Sequence, residues 1–363
     1  MDTNIQTGPD KLRVSFSGRQ IFLGIDVHKK NWNISVFIDD IFFQNFHQEA
    51  NSLLLLNYLN SHFPEARYLA CYEAGFSGFS IQRELESLGI DCIVVNPSDI
   101  PQTNQGILSK TDTSDSRRLG MALSRGLLTP IYIPDKLTES DRQLIRYRKK
   151  TLTDLQKKRK ILKSAFHSMG IIIPKEYDKP YWTKKFIDWI RNLKPKEVSS
   201  QILISHVIDD VEFLRKRLLQ INKDIRHLSS HERYKEVYSI LISAPGIGII
   251  TAMTMLTEIG EIKRFNNFAK FNSFIGLCPS EFSSGENIRK GKMTPRANSA
   301  LRPLLIEAAW IAIRTDPALA LKFQELIKSR TKKRAIVVIA RKLLSRIYHI
   351  WTNTRLYEKG LLR

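Results

Sequence analysis

The run from Ile21 to Val27, IFLGIDV, constrains the fold more than any other stretch of the chain. All of it is apolar or glycine except one carboxylate, Asp26. A short polar turn follows, then a second β-rich run from Asn31 to Ile38. This pattern predicts a hairpin whose first strand is mostly buried. A carboxylate in such a strand is costly unless a cation or hydrogen bonds offset it. Asp26 is therefore the first candidate metal ligand, although an Asp at a strand end can equally well just start the turn. Gly24, two residues earlier, would let a neighbouring backbone or a substrate strand approach closely.

The next hundred residues extend the pattern. IFFQNFHQ (Ile41 to Gln48) reads as a third strand, and Asn51 to His62 as a helix with one apolar side. YLACYEAGFSG reads as a strand and loop with Glu73 at the strand's end. A helix near Phe79 to Leu88 and a short buried strand, Asp91 to Asn96, complete the series. Three meandering strands followed by α/β alternation is the layout of a ribonuclease-H-like fold. A polar loop then leads into a helix that opens with Asp112 and Asp115. A separation of three puts both carboxylates on one helical face, while acidic residues also suit a helix N-terminus as simple caps. Lys110, Arg117 and Arg118 nearby serve either phosphate contact or solvation.

In that layout Asp26, Glu73, Asp112 and Asp115 converge on one end of the sheet. Two like charges about 4 Å apart repel by roughly 4 kcal/mol at an effective dielectric of 20. Four ionised carboxylates together call for divalent cations. Mg²⁺, which prefers carboxylate oxygens, is the expected ion, with Mn²⁺ as a substitute. Such ions would hold and polarise a scissile phosphodiester.

From Thr138 to Arg233 the chain turns to long, charged helices. Val207, Val211, Leu214, Leu218, Ile221, Ile225 and Leu228 form a heptad seam. A weaker seam runs through Ile145, Leu152, Leu155, Leu162, Phe166 and Met169. Two long antiparallel helices follow, packed within one chain or mediating dimerisation. The last third opens at Pro245 to Gly248, a PGIG turn leading into a helix whose free N–H groups can bind phosphate, as in a helix-hairpin-helix contact. Gly246 and Gly248 are the backbone positions concerned. Ser283, Ser284 and Gly285 are assigned to a loop followed by Arg289, Lys290 and Lys292. On residue chemistry alone this serine reads as a phosphate ligand or a plain turn residue before it reads as a nucleophile. Ala300 to Arg314 is an apolar helix, and the basic stretch from Lys328 continues into another.

Charge narrows the partner. Lys plus Arg number 57 against 36 for Asp plus Glu, a formal net charge of +21. Such an excess points to a polyanion, nucleic acid ahead of a membrane surface. The three cysteines, Cys71, Cys92 and Cys278, form no CxxC pair. A disulfide framework and a zinc finger are both disfavoured. The first residues read as a loose arm without an apolar signal core, and no apolar run has the length of a membrane span.

Taken in order, GIDVHKKNW, YEAGFSG, NPSDI, KTDTSDSRRL, APGIGIITA, FIGLCPSEFSSG and LRPLLIEAAW resemble the motifs of the DEDD transposases of insertion sequences. The similarity is to the Piv-like group of bridge-RNA-guided recombinases, and it spans roughly residues 20 to 320. Ser116 stands where that family usually has Ala, and the usual Gly before Asn298 is absent. The resemblance implies a RuvC-like domain over 19–135 behind a flexible arm (1–18). It implies a helical, coiled-coil oligomerisation segment over 136–235. A mainly α C-terminal domain with the serine would fill 236–363.

It implies Asp26, Glu73, Asp112 and Asp115 as metal ligands and a serine nucleophile, carried onto Ser284 with Ser283 as the fallback. It further implies covalent phosphoserine chemistry on donor and target DNA, a noncoding guide RNA, a homodimer or tetramer, and a prokaryotic cytoplasm at the nucleoid. Two other readings use the same residues. One is a RuvC-like nuclease or junction resolvase with water as nucleophile, the other a non-catalytic nucleic-acid scaffold.

Overall fold

The computed structural model describes residues 16–101, 112–179, 181–284 and 287–360, with backbone alone over 280–284 and 287–292. The chain divides into two compact units, Met1–Ile133 and Pro134–Arg363.

The first unit is a five-stranded mixed sheet with helices on both faces. Strands β1 (Gln20–Val27), β2 (Asn31–Ile38) and β3 (Ile41–Glu49) form an antiparallel meander. Helix α1 (Ser52–His62), β4 (Arg67–Glu73), α2 (Ser80–Ser87) and β5 (Asp91–Val95) follow in the expected order. The sheet order is β3-β2-β1-β4-β5, with β1 parallel to β4 and β4 parallel to β5. This is consistent with the RuvC-like layout. Asn51 caps α1, its side chain accepting from the Leu53 and Leu54 amides at 2.8 and 3.2 Å.

β1 is central and buried on both faces, which is why its sequence is continuously apolar. Ile21, Leu23 and Ile25 pack on one side with Leu55, Leu59, Ile81 and Leu85 of α1 and α2. On the other side Phe22 packs with Leu119 and Leu123 of helix α3 (Asp112–Ser124). Gly24 faces α3. A Cβ at this position would lie 2.1 Å from the Ser116 carbonyl oxygen and 2.2 Å from the Gly120 nitrogen. The close backbone approach expected at Gly24 is thus made by α3.

The second unit is mainly helical. It contains α4 (Lys136–Ser168), α5 (Lys184–Arg191), α6 (Val198–Ser229), α7 (Glu232–Ser243) and α8 (Ile249–Ile259). After these come α9 (Phe268–Ile275), α10 (Leu301–Thr315), α11 (Pro317–Ile327) and α12 (Lys332–Thr352). Helices α4 and α6 run antiparallel. Arg148 Nε donates to Asn222 Oδ1 at 2.7 Å, and further along Lys158 Nζ meets Asp210 Oδ2 at 2.5 Å. Both heptad seams are used inside the chain. Val207, Val211, Leu155, Leu162 and Phe166 share one core, while Ile145, Ile221 and Ile225 join a larger one. That larger core surrounds α8, which is buried from Thr251 through Ile259 and packs on α4, α6, α7 and α10.

Two features depart from the expected layout. Of the residues assigned to a serine loop, Ser283 and Ser284 lie on β6 (Pro279–Ser284), which pairs antiparallel with β7 (Asn287–Met293), and Gly285 lies outside the described residues. Ser284 pairs with Asn287 and Ser283 with Ile288. A short Ser-rich strand facing a Lys-rich one lacks the apolar alternation that announces a strand. The basic stretch from Lys328 to Arg346 is not one helix from its start, because residues 328–331 connect α11 to α12 and the helix begins at Lys332.

Candidate metal centre

The polar end of the first unit's sheet is built from the last residue or two of each strand and the first turn of α3. β1 delivers Asp26 and the turn after it delivers His28. Asp26 pairs in register with Asn33 of β2. Tyr72 of β4 pairs with Ile25, so Glu73 ends its strand alongside Asp26. α3 opens with Asp112 and Asp115.

A buried polar network fixes α3 over β2 and β3. Asn45 Nδ2 donates to Asn33 Oδ1 at 2.6 Å, Ser35 Oγ at 2.9 Å and Ser116 Oγ at 3.0 Å. Ser116 Oγ donates in turn to Asn33 Oδ1 at 2.9 Å. Asn33, Ser35 and Ser116 are essentially inaccessible to solvent. A hydroxyl at 116 is therefore not a free replacement for Ala, since Ser35 and Asn45 satisfy it. Buried groups satisfied in this way fix one geometry, here that of the carboxylates on the first turn of α3.

The four carboxylates divide into two groups. Asp26 Oδ2 and Asp112 Oδ2 each lie 3.3 Å from His28 Nε2. Asp26, His28 and Asp112 offer ligand atoms within 4.8 Å of one another. Glu73 Oε1 and Asp115 Oδ1 are instead joined by Arg118, whose terminal nitrogen lies 3.3 and 3.1 Å from them. Burial pushes the Asp26 carboxyl above its ordinary range. The neighbouring His28 pulls it back down, and the charges of Asp112 and Asp115 push it up again. Negative charge gathered around the partly buried Asp26 is what a bound divalent cation would relieve.

The donor set suits such an ion. Two convergent carboxylate oxygens fit a hard cation such as Mg²⁺. An imidazole nitrogen within the same group broadens acceptance toward Mn²⁺. His28 was the residue the motif reading passed over. It lies inside GIDVHKKNW, two positions after Asp26, and carboxylate counting gave it no weight. Arg118, read as a phosphate or solvent-facing cation, is instead taken up by Glu73 and Asp115, with its Nε buried.

The other expected contacts are distributed as follows. Arg117 stacks over the Phe42 ring at 4.0 Å. Lys110 lies outside the described residues. Arg289 and Lys290 pair across the hairpin with Phe282 and Glu281, and Lys292 lies on the same strand, β7. Gly246 has φ +80°, and a Cβ there would meet the Ala308 carbonyl oxygen at 2.3 Å. Packing on α10 therefore requires glycine at that turn. Gly248 caps α8 with open space where a side chain would be. Asn298, adjacent to the missing glycine, receives the Ala300 and Leu301 amides at 2.9 and 3.0 Å and donates to Glu258 at 3.1 Å. No helix among the described residues is long and apolar enough to cross a membrane.

Comparison with known proteins agrees with this architecture. Residues 23–169 match the transposase family named for the DEDD enzymes of IS110 elements, and residues 238–324 match the transposase IS116/IS110/IS902 family. A putative transposase, y4qE, of Sinorhizobium fredii is 31% identical over 240 residues, covering 66% of this chain and 57% of the relative. The transposase for insertion sequence element IS1533 of Leptospira borgpetersenii is 27% identical over 358 residues, covering 95% and 99%. The pilin gene-inverting protein of Moraxella bovis is 27% identical over 180 residues, covering 47% and 55%. With a DEDD-type match over residues 23–169 and an IS116/IS110-type match over 238–324, the chain is similar in both of its parts to the transposases of IS110/IS116 elements.

Proposed function

We propose that this chain cuts and rejoins DNA during insertion-sequence transposition. The observation that carries the reading is the convergence of Asp26, His28 and Asp112 at one end of the sheet, with Glu73 and Asp115 alongside. Asp26, Asp112, Asp115 and Glu73 hold Mg²⁺, or Mn²⁺ in its place. The bound cation supplies Lewis-acid polarisation of a phosphoryl oxygen. Accepting it requires Glu73 and Asp115 to loosen from Arg118, which leaves that guanidinium available to a DNA phosphate.

Ser284 is the proposed nucleophile, with Ser283 second. Its hydroxyl oxygen attacks a backbone phosphorus, and the bond to one sugar oxygen breaks. The serine proton is lost to a base and the departing sugar oxygen takes one up. The phosphoserine ester conserves the phosphodiester, so a second sugar hydroxyl can reverse the exchange on another strand. Lys110, Arg117, Arg289, Lys290, Lys292 and the first-turn amides of α8 next to Gly246 and Gly248 contact the DNA backbone. The proposal includes a homodimer or tetramer, a noncoding guide RNA that reads donor and target by base pairing, and a cytoplasmic, nucleoid-associated setting.

The test is covalent trapping. The full chain is incubated with Mg²⁺, labelled donor and target DNA, and RNA transcribed from its element's flanks. A denaturant-resistant adduct mapped to Ser284, absent from Ser284→Ala and Asp26→Ala, supports the reading. Cleavage that persists in Ser284→Ala without an adduct overturns it in favour of hydrolysis by water at the same carboxylates.

A further inference from the structure

The paired helices α4 and α6 distribute their carboxylates unevenly. Arg191 holds both Asp209, at 2.7 Å, and Glu212. Asp210 is held by Lys158 at 2.5 Å, and Asp154 by Lys157 at 3.5 Å. Arg159 on α4 and Arg215 on α6 are left over. Among the described residues neither forms a hydrogen bond or an ion pair, yet Arg159 Nε and Arg215 Nη1 are both shielded from solvent. Shielded donors of this kind are costly unless something accepts from them. The antiparallel register set by Arg148 with Asn222 and Lys158 with Asp210 places Arg215 about one and a half turns along α6 from the position facing Arg159, within reach of two long side chains.

Their mutual arrangement is unfavourable in the free chain. Burial, and after it the charge of Arg215, draws Arg159 below the ordinary guanidinium range. Neither arginine has an anionic partner among the described residues, and an anion that reached both would offset their repulsion. Trp182 defines its geometry. The Arg159 guanidinium carbon lies 5.4 Å over the indole ring, which covers one face and leaves the terminal in-plane N–H groups as its outward donors, Nε being shielded. In-plane donors from two planar forks match the oxygens of a phosphate.

We propose that Arg159 and Arg215, with Trp182 behind Arg159, form a clamp for a phosphodiester of a bound polynucleotide on the α4–α6 helix pair. The choice of polymer over a small anion rests on the nucleic-acid reading above and on the net charge of +21. The clamp itself does not depend on the serine chemistry.

The experiment uses the full chain and its Arg159→Gln, Arg215→Gln and double variants. Affinity for a labelled DNA duplex and for a labelled RNA hairpin is measured across a salt series, alongside thermal midpoints with and without inorganic phosphate. On duplex DNA the slope of log affinity against log salt becomes shallower by about 0.9 for each arginine that meets a phosphate, which is roughly eightfold in affinity at about 0.1 M salt. The free double variant keeps or raises its midpoint, because a repulsion has been removed. Loss on one polymer alone identifies which strand the clamp holds, and loss on both identifies backbone recognition.

Unchanged slopes on both polymers in a folded double variant overturn the proposal. So does a midpoint response to inorganic phosphate with no change on either polymer. A marked fall in the free variant's midpoint also overturns it, by showing that the arginines hold the helices together. Binding is read without catalysis, so failure to form a serine adduct leaves this outcome intact.

Discussion

Replacing Gly24 by Ala tests whether the contact between β1 and α3 sets the candidate metal centre. The new Cβ would lie 2.1 Å from the Ser116 carbonyl oxygen, 2.2 Å from the Gly120 nitrogen and 2.8 Å from the Gly120 Cα. Favourable contact begins near ~3.5 Å, so α3 must retreat by more than about 1 Å. The obstructing atoms are helix backbone and cannot turn aside as a side chain would. Overpacking costs typically about 1–3 kcal/mol, and this geometry belongs at ~3 kcal/mol.

The same retreat carries Asp112 and Asp115 away from Asp26 and His28. A misplacement of about 1 Å costs on the order of 10²-fold in rate. Urea unfolding followed by circular dichroism, Mn²⁺ titration and a strand-joining assay give three independent readouts. All three should fall together. Gly120→Ala is the internal comparison. Its Cβ meets the buried Phe37 ring at 2.7 Å but comes no nearer than 3.2 Å to backbone, at the Gly24 nitrogen, so a side-chain shift can absorb part of the clash and its cost is smaller, about 1–2 kcal/mol. A Gly24→Ala variant with the parent's unfolding midpoint and Mn²⁺ affinity would refute the reasoning.

Other expectations follow from the same geometry. Asp26→Asn and Asp112→Asn should each weaken Mn²⁺ binding about tenfold or more, since one carboxylate charge at this spacing is worth at least ~1.4 kcal/mol; calorimetric titration reads this, and an unchanged affinity places the ion elsewhere. In the second unit Glu258 is buried and receives Arg146 at 2.7 and 2.9 Å, whereas Arg146 is largely exposed. Arg146→Met removes the ion-pair partner of a buried carboxylate that keeps its hydrogen bond from Asn298 and should cost about 3 kcal/mol, more than Glu258→Gln, which leaves an arginine that water can solvate; equal costs in urea titrations would contradict this. Asp316 is buried and accepts from Arg346 at 2.8 Å, Tyr357 at 2.7 Å and the Leu319 amide at 2.9 Å. Burial alone would raise its carboxyl, but these partners together with the Gly360 amide hold it below the ordinary range. Its contribution to stability is therefore complete above the unfolded value near ~3.9 and is lost as pH falls through the lower folded value. Asp316→Asn should cost about 2–4 kcal/mol at neutral pH, and the gap from the parent should narrow below about pH 4; a gap that stays constant on acidification argues against an ionised Asp316.

What the sequence disclosed depended on how local the determining contact was. Strands β1 to β5 and their order along the chain were legible because apolar runs and the turns between them act over a few residues. Gly24 announced a close approach, but not that α3 makes it, because that helix begins almost ninety positions later. A separation of 45 positions from Glu73 hid the role of Arg118. Its side chain looked like one more cation beside Arg117 until the fold set it between Glu73 and Asp115. The heptad seams on α4 and α6 were plain in the spacing, yet periodicity does not say whose surface covers a stripe. Here Leu155, Leu162, Val207 and Val211 are covered from within the chain. Ser284 was placed in a loop because a strand of Pro, Ser, Glu and Phe carries no alternation to read.

The sheet order also sets when the acidic cluster comes into being. Asp26 and Glu73 belong to strands that can pair as soon as β4 has left the ribosome, whereas Asp112 and Asp115 arrive only with α3. A chain arrested before that helix holds half of the acidic set and lacks the mutual repulsion that calls for a cation. Docking of α3 through Gly24, Gly120 and the Ser116 network is thus the step at which the full charge density is assembled, and it works against that charge. Vectorial synthesis acts as an interlock: an unfinished or truncated copy carries the sheet without the complete centre.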